Sequence, residues 1–424
     1  MDKFMEILFG FVGLFCLIAI AVIFSSDRHA INFRTVSGAF ILQACIPALV
    51  IFTPWGGSFL QAMSAAVQGV IDSANAGVSF LFGGLVSGKM FEIFGDGGFV
   101  FAFRVLPIII FFASLMAVLY YLGIMQVIIK IFGGFLQKVL GTSRSESMSA
   151  AANVFVGQTE APLVVKPYIK NMTRSELFAV MCGGLASVAG SVLVGYASLG
   201  VSLDYLIAAS FMAAPGGLLM AKLLEPETQK PEIDFDEVEL QDKDNLTQPV
   251  NVIDAAASGA ASGLKLALNV GAMLIAFIAL IALINDILAA VGGVVGIQAL
   301  SLESILGYLF APIAIILGIP WFEALEAGSL LGQKLVVNEF VAYIEFINVR
   351  DILSEHTQVI LTVALCGFAN LSSMAILLGG LGVIAPSRRA DIARLGVKAI
   401  LAGTLSNFMS ATMVGIFFAL SVIW

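Results

Sequence analysis

Apolar stretches separated by short polar ones run along the whole chain. A helix needs about 20 residues to cross the hydrocarbon core of a bilayer. Stretches of that order lie near residues 6–24, 37–53, 101–129, 178–197, 203–222, 252–295, 358–384 and 396–423. The pattern predicts an all-α polytopic membrane protein with about eight transmembrane helices.

Two more segments are apolar at both flanks and polar in the middle. Residues 146–170 carry Gln158, Thr159 and Glu160 at their centre, and residues 319–346 carry Glu323, Glu326, Lys334, Asn338, Glu339 and Glu345. Non-helical backbone at membrane depth is tolerated only where protein or a cavity surrounds it. Both segments therefore read as re-entrant helical hairpins. Each is followed by a similar span: Cys182-Gly183-Gly184-Leu185-Ala186-Ser187 after the first and Cys366-Gly367-Phe368-Ala369-Asn370-Leu371-Ser372-Ser373 after the second. Lys and Arg stay on the cytoplasmic side of short loops. Arg28 and Arg34 after the first span, Lys130 to Arg174 around the first hairpin, and Arg388 to Lys398 before the last span then place both termini outside. On that count the hairpins enter from opposite sides and the halves form an inverted repeat, an arrangement in which carriers hold substrate near the midplane.

Composition agrees with lipid as the solvent. Of 424 residues, 59% are hydrophobic and 12% charged, against about a quarter charged in soluble domains. The net charge of −8 is local, because nine of the 29 acidic residues fall between Glu225 and Asp244, a solvated loop with Pro226, Pro231 and Pro249 beside it. Cys16, Cys45, Cys182 and Cys366 show no paired spacing and read as free, buried thiols. The first apolar run is followed by Asp27-Arg28-His29 rather than a small-residue cleavage site, so it reads as a retained span.

Chemistry concentrates at the hairpin centres. Pro162 is placed to open a second limb, and a carboxylate such as Glu160 costs roughly 3 kcal/mol to insert. Capping of the tip needs one oxygen, whereas three polar side chains are present. In the second hairpin Asn338 can cap, which leaves Glu339 to find donors, and a sugar diol offers two. Asn370 and Ser373 share a helical face and can serve a ligand or bridge helices. Asn153, Ser187 and the carbonyls near Val156 and Val188 form an all-oxygen set suited to a hard cation. Gly83 to Met90 imitates a phosphate loop, but Met90 lacks the metal-binding hydroxyl. His29 and His356 are expected in loops without a second metal ligand, Arg104 reads as snorkelling, and Trp55, Trp321 and Trp424 as interfacial anchors.

Gly157-Gln158-Thr159-Glu160-Ala161-Pro162, Asn338-Glu339-Phe340 and Cys366-Gly367-Phe368-Ala369-Asn370 together resemble the signatures of the concentrative nucleoside transporters, over essentially the whole chain and closest to the sodium-coupled bacterial members of Vibrio type. The resemblance implies a homotrimer in a bacterial inner membrane, with lipid, nucleoside and sodium as partners, sodium as the coupling ion, no other cofactor and no nucleic acid. It implies that Gln158, Thr159, Glu160, Val192, Leu266 and Phe368 surround the nucleobase, that Glu339, Asn370 and Ser373 hold the ribose, and that Asn153, Val156, Ser187 and Val188 hold sodium. It also implies a partition into scaffold helices with an interfacial segment (1–130), a transport subdomain with the first hairpin (131–222), an acidic cytoplasmic loop (223–250), a scaffold helix (251–300), and a transport subdomain with the second hairpin and last two spans (301–424).

The leading reading is a sodium-coupled symporter for nucleosides such as uridine, working by alternating access. Proton coupling through Glu160 or Glu339 is the alternative, separated by uptake across a pH series without sodium. An intramembrane enzyme would need a nucleophile and base or an Asp-rich metal site, and the sequence offers neither set. A passive channel is disfavoured by broken hairpins in inverted halves.

Overall fold

The computed structural model describes residues 3–231, 249–296 and 300–423. Most of the acidic loop expected at 223–250, including its run from Glu232 to Asp244, lies outside the described residues, as does Trp424. No strand occurs among the described residues.

Eight helical stretches among them are long and apolar enough to cross a membrane. Two begin the chain: α1 (Lys3–Ile23) and α2 (Phe33–Phe52). Then comes α3 (Pro54–Phe82), opened by Thr53 as cap with Pro54 in its first turn, buried on one stripe only (Gly56, Leu60, Ile71, Ala74, Val78). The span expected at 101–129 is divided at Gly123, whose φ of +78° ends α4 (Leu106–Tyr121) and starts α5 (Ile124–Leu140). The polar-centred segment that follows is a hairpin, with α6 (Arg144–Ala152) as its first limb and a 3-10 limb, Ala161–Tyr168, as its second. Pro162 does stand in the first turn of that limb.

The next span is interrupted as well. It consists of α7 (Arg174–Ala186) and α8 (Gly190–Ser198), joined through extended backbone at Ser187. After α9 (Leu203–Leu224), α10 (Val252–Val295) and α11 (Leu302–Ile316), the second hairpin is built from α12 (Ala324–Val336) and α13 (Glu339–Val349). The apolar run at 358–384 is not one helix. It splits into α14 (Glu355–Leu365) and α15 (Ser373–Ile384) with Cys366 to Ser372 between them, and α16 (Arg389–Ile423) closes the chain. The run reads as continuous because every residue at the break is small or apolar except Asn370, Ser372 and Ser373, whose hydrogen bonds replace the lost helical ones.

These elements pack in two groups. α7, α9, α14 and α16 surround the hairpins and form the buried core. α1 packs against α16, and α2 packs against α9, α3 and α16. Gln43 of α2 pins that contact, its Nε2 donating to Ser410 Oγ at 2.8 Å. α10 pairs with α4, where Gly259 and Gly263 meet Ala113, Ala117 and Ile110 so closely that a Cβ on either would lie under 3 Å from a neighbour. This is small-residue packing of the kind that lets two helices approach in lipid, where apolar burial gives no drive. The outer faces of α3, α4 and α10 remain exposed and apolar, and so do Trp55 and Trp321.

Several smaller expectations change. Cys45 is exposed and Cys16 half-buried, so only Cys182 and Cys366 are buried thiols; the first two face outward from helices whose solvent is lipid. His356 is buried in the first turn of α14, with Nδ1 3.8 Å from a Glu6 carboxylate oxygen, rather than in a loop. The imitation phosphate loop forms an exposed 3-10 turn, and Arg104 donates to the Ser87 carbonyl there at 3.1 Å while facing Phe91.

Candidate functional site

The two hairpin tips and the two helix breaks meet. Gly190 N–H donates to the Phe155 carbonyl at 3.1 Å, tying the first tip to its break, and Leu371 N–H donates to the Leu335 carbonyl at 3.0 Å, tying the second. Phe368 N–H then reaches across to the Ser187 carbonyl at 3.1 Å, joining break to break. Backbone groups left open at the tips, the breaks and the adjoining helix ends are thereby satisfied by one another.

A cavity of about 510 Å³ opens beside this junction, within the range of small-molecule sites. All nine residues expected at base and ribose line it: Gln158, Thr159, Glu160, Val192, Leu266, Phe368, Glu339, Asn370 and Ser373. The helix α10 closes the opposite wall and adds Lys265 and Asn269, which sequence reasoning did not single out.

The first tip leaves its polar groups open. Gln158 is buried, its Oε1 without a hydrogen-bond partner, whereas Thr159 and Glu160 are exposed towards the cavity. Close approach sets this tip: a Cβ on Gly184 would lie 2.8 Å from Gln158 Cβ, and one on Gly380 would lie 2.7 Å from Thr159 Cγ2.

The second tip is organised around Glu339. Asn338 caps α13, its Oδ1 accepting from Val341 N–H at 3.0 Å. Glu339 then finds two donors: the Tyr196 hydroxyl on Oε1 at 3.0 Å and Asn370 Nδ2 on Oε2 at 2.8 Å. The Asn370 Oδ1 accepts from Ser373 N–H at 2.9 Å, and the Ser373 hydroxyl donates to the Phe368 carbonyl. Asn370 and Ser373 therefore bridge locally and line the cavity at once. Tyr196 was missed because it lies mid-helix in α8 among apolar neighbours, and nothing in its spacing links it to Glu339 more than a hundred residues later.

The four residues expected at a cation lie together behind the first tip, all buried. Asn153 ends α6 and Ser187 ends α7, with Val156 and Val188 just beyond. Each of these helices presents its negative C-terminal end there. Asn153 Nδ2 donates to the Ser149 carbonyl at 2.9 Å, but its Oδ1 is a buried acceptor with no hydrogen-bond donor. An acceptor left this way costs about 1–3 kcal/mol, so the set suits a cation that meets it.

Comparison with known proteins agrees along the whole chain. Residues 12–85 match the family model described as the N-terminus of the Na+ dependent nucleoside transporters, 102–203 match one described as nucleoside recognition, and 205–415 match that for the transporters' C-terminus. The nucleoside permease NupC of Helicobacter pylori is 54% identical, with 98% of each chain covered. The chain belongs to the Na+-dependent, concentrative nucleoside transporter family.

An uncharacterized transporter of Haemophilus influenzae is 56% identical over 98% of this chain and 99% of that protein. Among solved structures, the transporter CNTnw in an inward-facing substrate-bound state superposes with a TM-score of 0.94 at 60% identity, covering 98% of each chain. The family assignment makes the two hairpins the re-entrant pair of a membrane transporter, and these relatives are transporters and permeases, not enzymes.

Proposed function

We propose that this transporter is a sodium-coupled symporter that imports nucleosides such as uridine by alternating access. The observation that carries the reading is the cavity itself, where an open amide-hydroxyl-carboxylate edge on one tip faces a carboxylate held by two donors on the other.

Gln158, Thr159 and Glu160 address the edge of the base, since an amide and a hydroxyl can match both its donors and its acceptors. Val192, Leu266 and Phe368 pack on its faces. Glu339 accepts from the ribose 2′ and 3′ hydroxyls, with Asn370 and Ser373 beside it, and the Tyr196 and Asn370 donors hold its oxygens in place meanwhile. Sodium is carried at Asn153, Ser187 and the carbonyls of Val156 and Val188. It adjoins the first tip, because Gly184 packs between Gln158 and Asn153. Ion and nucleoside thus favour one arrangement of that tip, and each raises the affinity for the other.

The hairpins with α7 to α9, α14 to α16 and the packed α1 and α2 form the moving body. The α4–α10 pair and the one-sided α3 form the scaffold, whose exposed apolar faces serve lipid and the homotrimer contact. The protein sits in a bacterial inner membrane with both termini periplasmic.

Binding of uridine, cytidine, adenosine and their deoxy forms to the purified protein, with sodium or with potassium, tests the reading. Ribonucleosides are expected to bind more tightly in sodium. Equal binding in both salts would remove the coupling claim, and uptake across a pH series without sodium separates proton coupling.

A further inference from the structure

The two halves differ in chemistry where the first limb of each hairpin runs into its tip. Asn153 lies three residues before Val156 at the first tip, and Lys334 lies three residues before Val337 at the second. Asn153 caps the end of α6, whereas Lys334 lies in the last turn of α12, one turn before its cap Val337, and each is within two residues of a carbonyl that is bonded to the neighbouring helix break. Asn153 brings a buried oxygen with no donor. Lys334 brings an ammonium, and it is among the largest side chains in the protein with no exposure at all.

The surroundings of that ammonium resemble a cation site. It donates to Asn407 Oδ1 at 2.8 Å and lies 5.9 Å from the centre of the Phe408 ring. Asn407 Nδ2 donates in turn to the Ala186 carbonyl at 2.6 Å and the Cys366 carbonyl at 3.0 Å, at the ends of α7 and α14. Lys334 itself occupies the last turn of α12, where a helix end favours positive charge. The Glu339 carboxylate attracts it across the buried space, but no ion pair within 4 Å joins the two among the described residues, and the Glu339 oxygens accept instead from Tyr196 and Asn370. A buried ammonium must be met by such groups, because an unmet one is strongly destabilising.

We propose that the Lys334 ammonium is a tethered cation, permanently filling the place in the second half that corresponds to the exchangeable ion's place in the first, so that one sodium accompanies each nucleoside. The proposal rests on the sodium reading of Asn153 and Ser187. The asparagine of the first half receives an ion from solution and releases it, whereas the lysine of the second half cannot leave. The second hairpin therefore keeps its tip ordered without sodium, and the cycle's ion dependence falls on the first.

Three measurements test this. In proteoliposomes, the charge moved per uridine by the unaltered protein, read from the voltage at which uptake stops, is expected to be one. Sodium-dependent uptake with two charges per uridine would overturn the lysine's role alone, whereas uptake that needs no sodium would remove the sodium reading beneath it. In purified Lys334→Asn, a short neutral side chain leaves Asn407 facing a gap that a second sodium can enter. The sodium dependence of uridine binding should steepen from a Hill coefficient of about 1 towards about 2, with affinity at low sodium reduced about tenfold or more. In Lys334→Ala, methylammonium chloride should restore binding where tetramethylammonium chloride does not. A Lys334→Asn protein with the unaltered sodium curve, or a Lys334→Ala protein indifferent to methylammonium, would contradict the proposal.

Discussion

The Tyr196 hydroxyl donates to Glu339 Oε1 at 3.0 Å across the line between the two repeats. Tyr196 belongs to the broken span of the first half and Glu339 opens the second limb of the second hairpin. The Tyr196 ring also packs at 4.8 Å on Phe340 and at 4.5 Å on Tyr343, which fixes the hydroxyl's direction. The carboxylate reaches the cavity already oriented.

Removing that hydroxyl alone tests the orientation. Tyr196→Phe keeps the ring packing and leaves Glu339 Oε1 short of a donor in a buried site. Such a loss costs about 1–3 kcal/mol, so uridine affinity should fall roughly 5-fold to 150-fold with the fold retained. Isothermal titration of the purified variant reads this directly.

Glu339→Gln replaces an acceptor-only group by one that also donates, and the amide cannot accept from two ribose hydroxyls as well as a carboxylate does. Uptake of uridine should be largely abolished. The preference for uridine over 2′-deoxyuridine in residual binding should shrink, and competition binding measures both.

A glycine offers a steric test at the first tip. The Cβ of Gly184→Ala would stand 2.8 Å from Gln158 Cβ and 3.1 Å from Gln158 Cα, so the tip must move. Affinity for nucleoside and for sodium should weaken together, because Gly184 packs between Gln158 and Asn153. Binding of each, measured with the other held fixed, shows whether the losses are coupled.

How much of this was readable beforehand follows from what a sequence encodes locally. Hairpins were legible because Gln158, Thr159, Glu160, Asn338 and Glu339 interrupt apolar runs that otherwise span a membrane. The break between α14 and α15 was hidden, since Cys366, Gly367, Phe368 and Ala369 keep the run apolar although the backbone leaves the helix. Lys334 and Asn407 were not legible as a pair, because a bond 73 residues long in sequence has no local pattern. The place of α1 and α2 is set by packing against α16 and α9, with buried contacts such as Gln43 with Ser410 that hydropathy cannot indicate.

The foot of the first hairpin carries a stability prediction. Lys222 of α9 is buried against Glu146, the capping-box glutamate of α6, and donates to Ser175 Oγ at 2.9 Å. Lys222→Met leaves the Glu146 carboxylate buried without its cation, which costs about 3–5 kcal/mol. The variant should melt well below the unaltered protein in detergent, and the paired change Lys222→Met with Glu146→Gln should recover part of the loss.

Uridine accumulation in proteoliposomes, with voltage clamped and sodium high outside only, tests the central claim most directly. Internal uridine should rise above the external concentration, and the rise should vanish when sodium is equal on both sides. Uptake that stops at equal concentrations whatever the sodium gradient would contradict it.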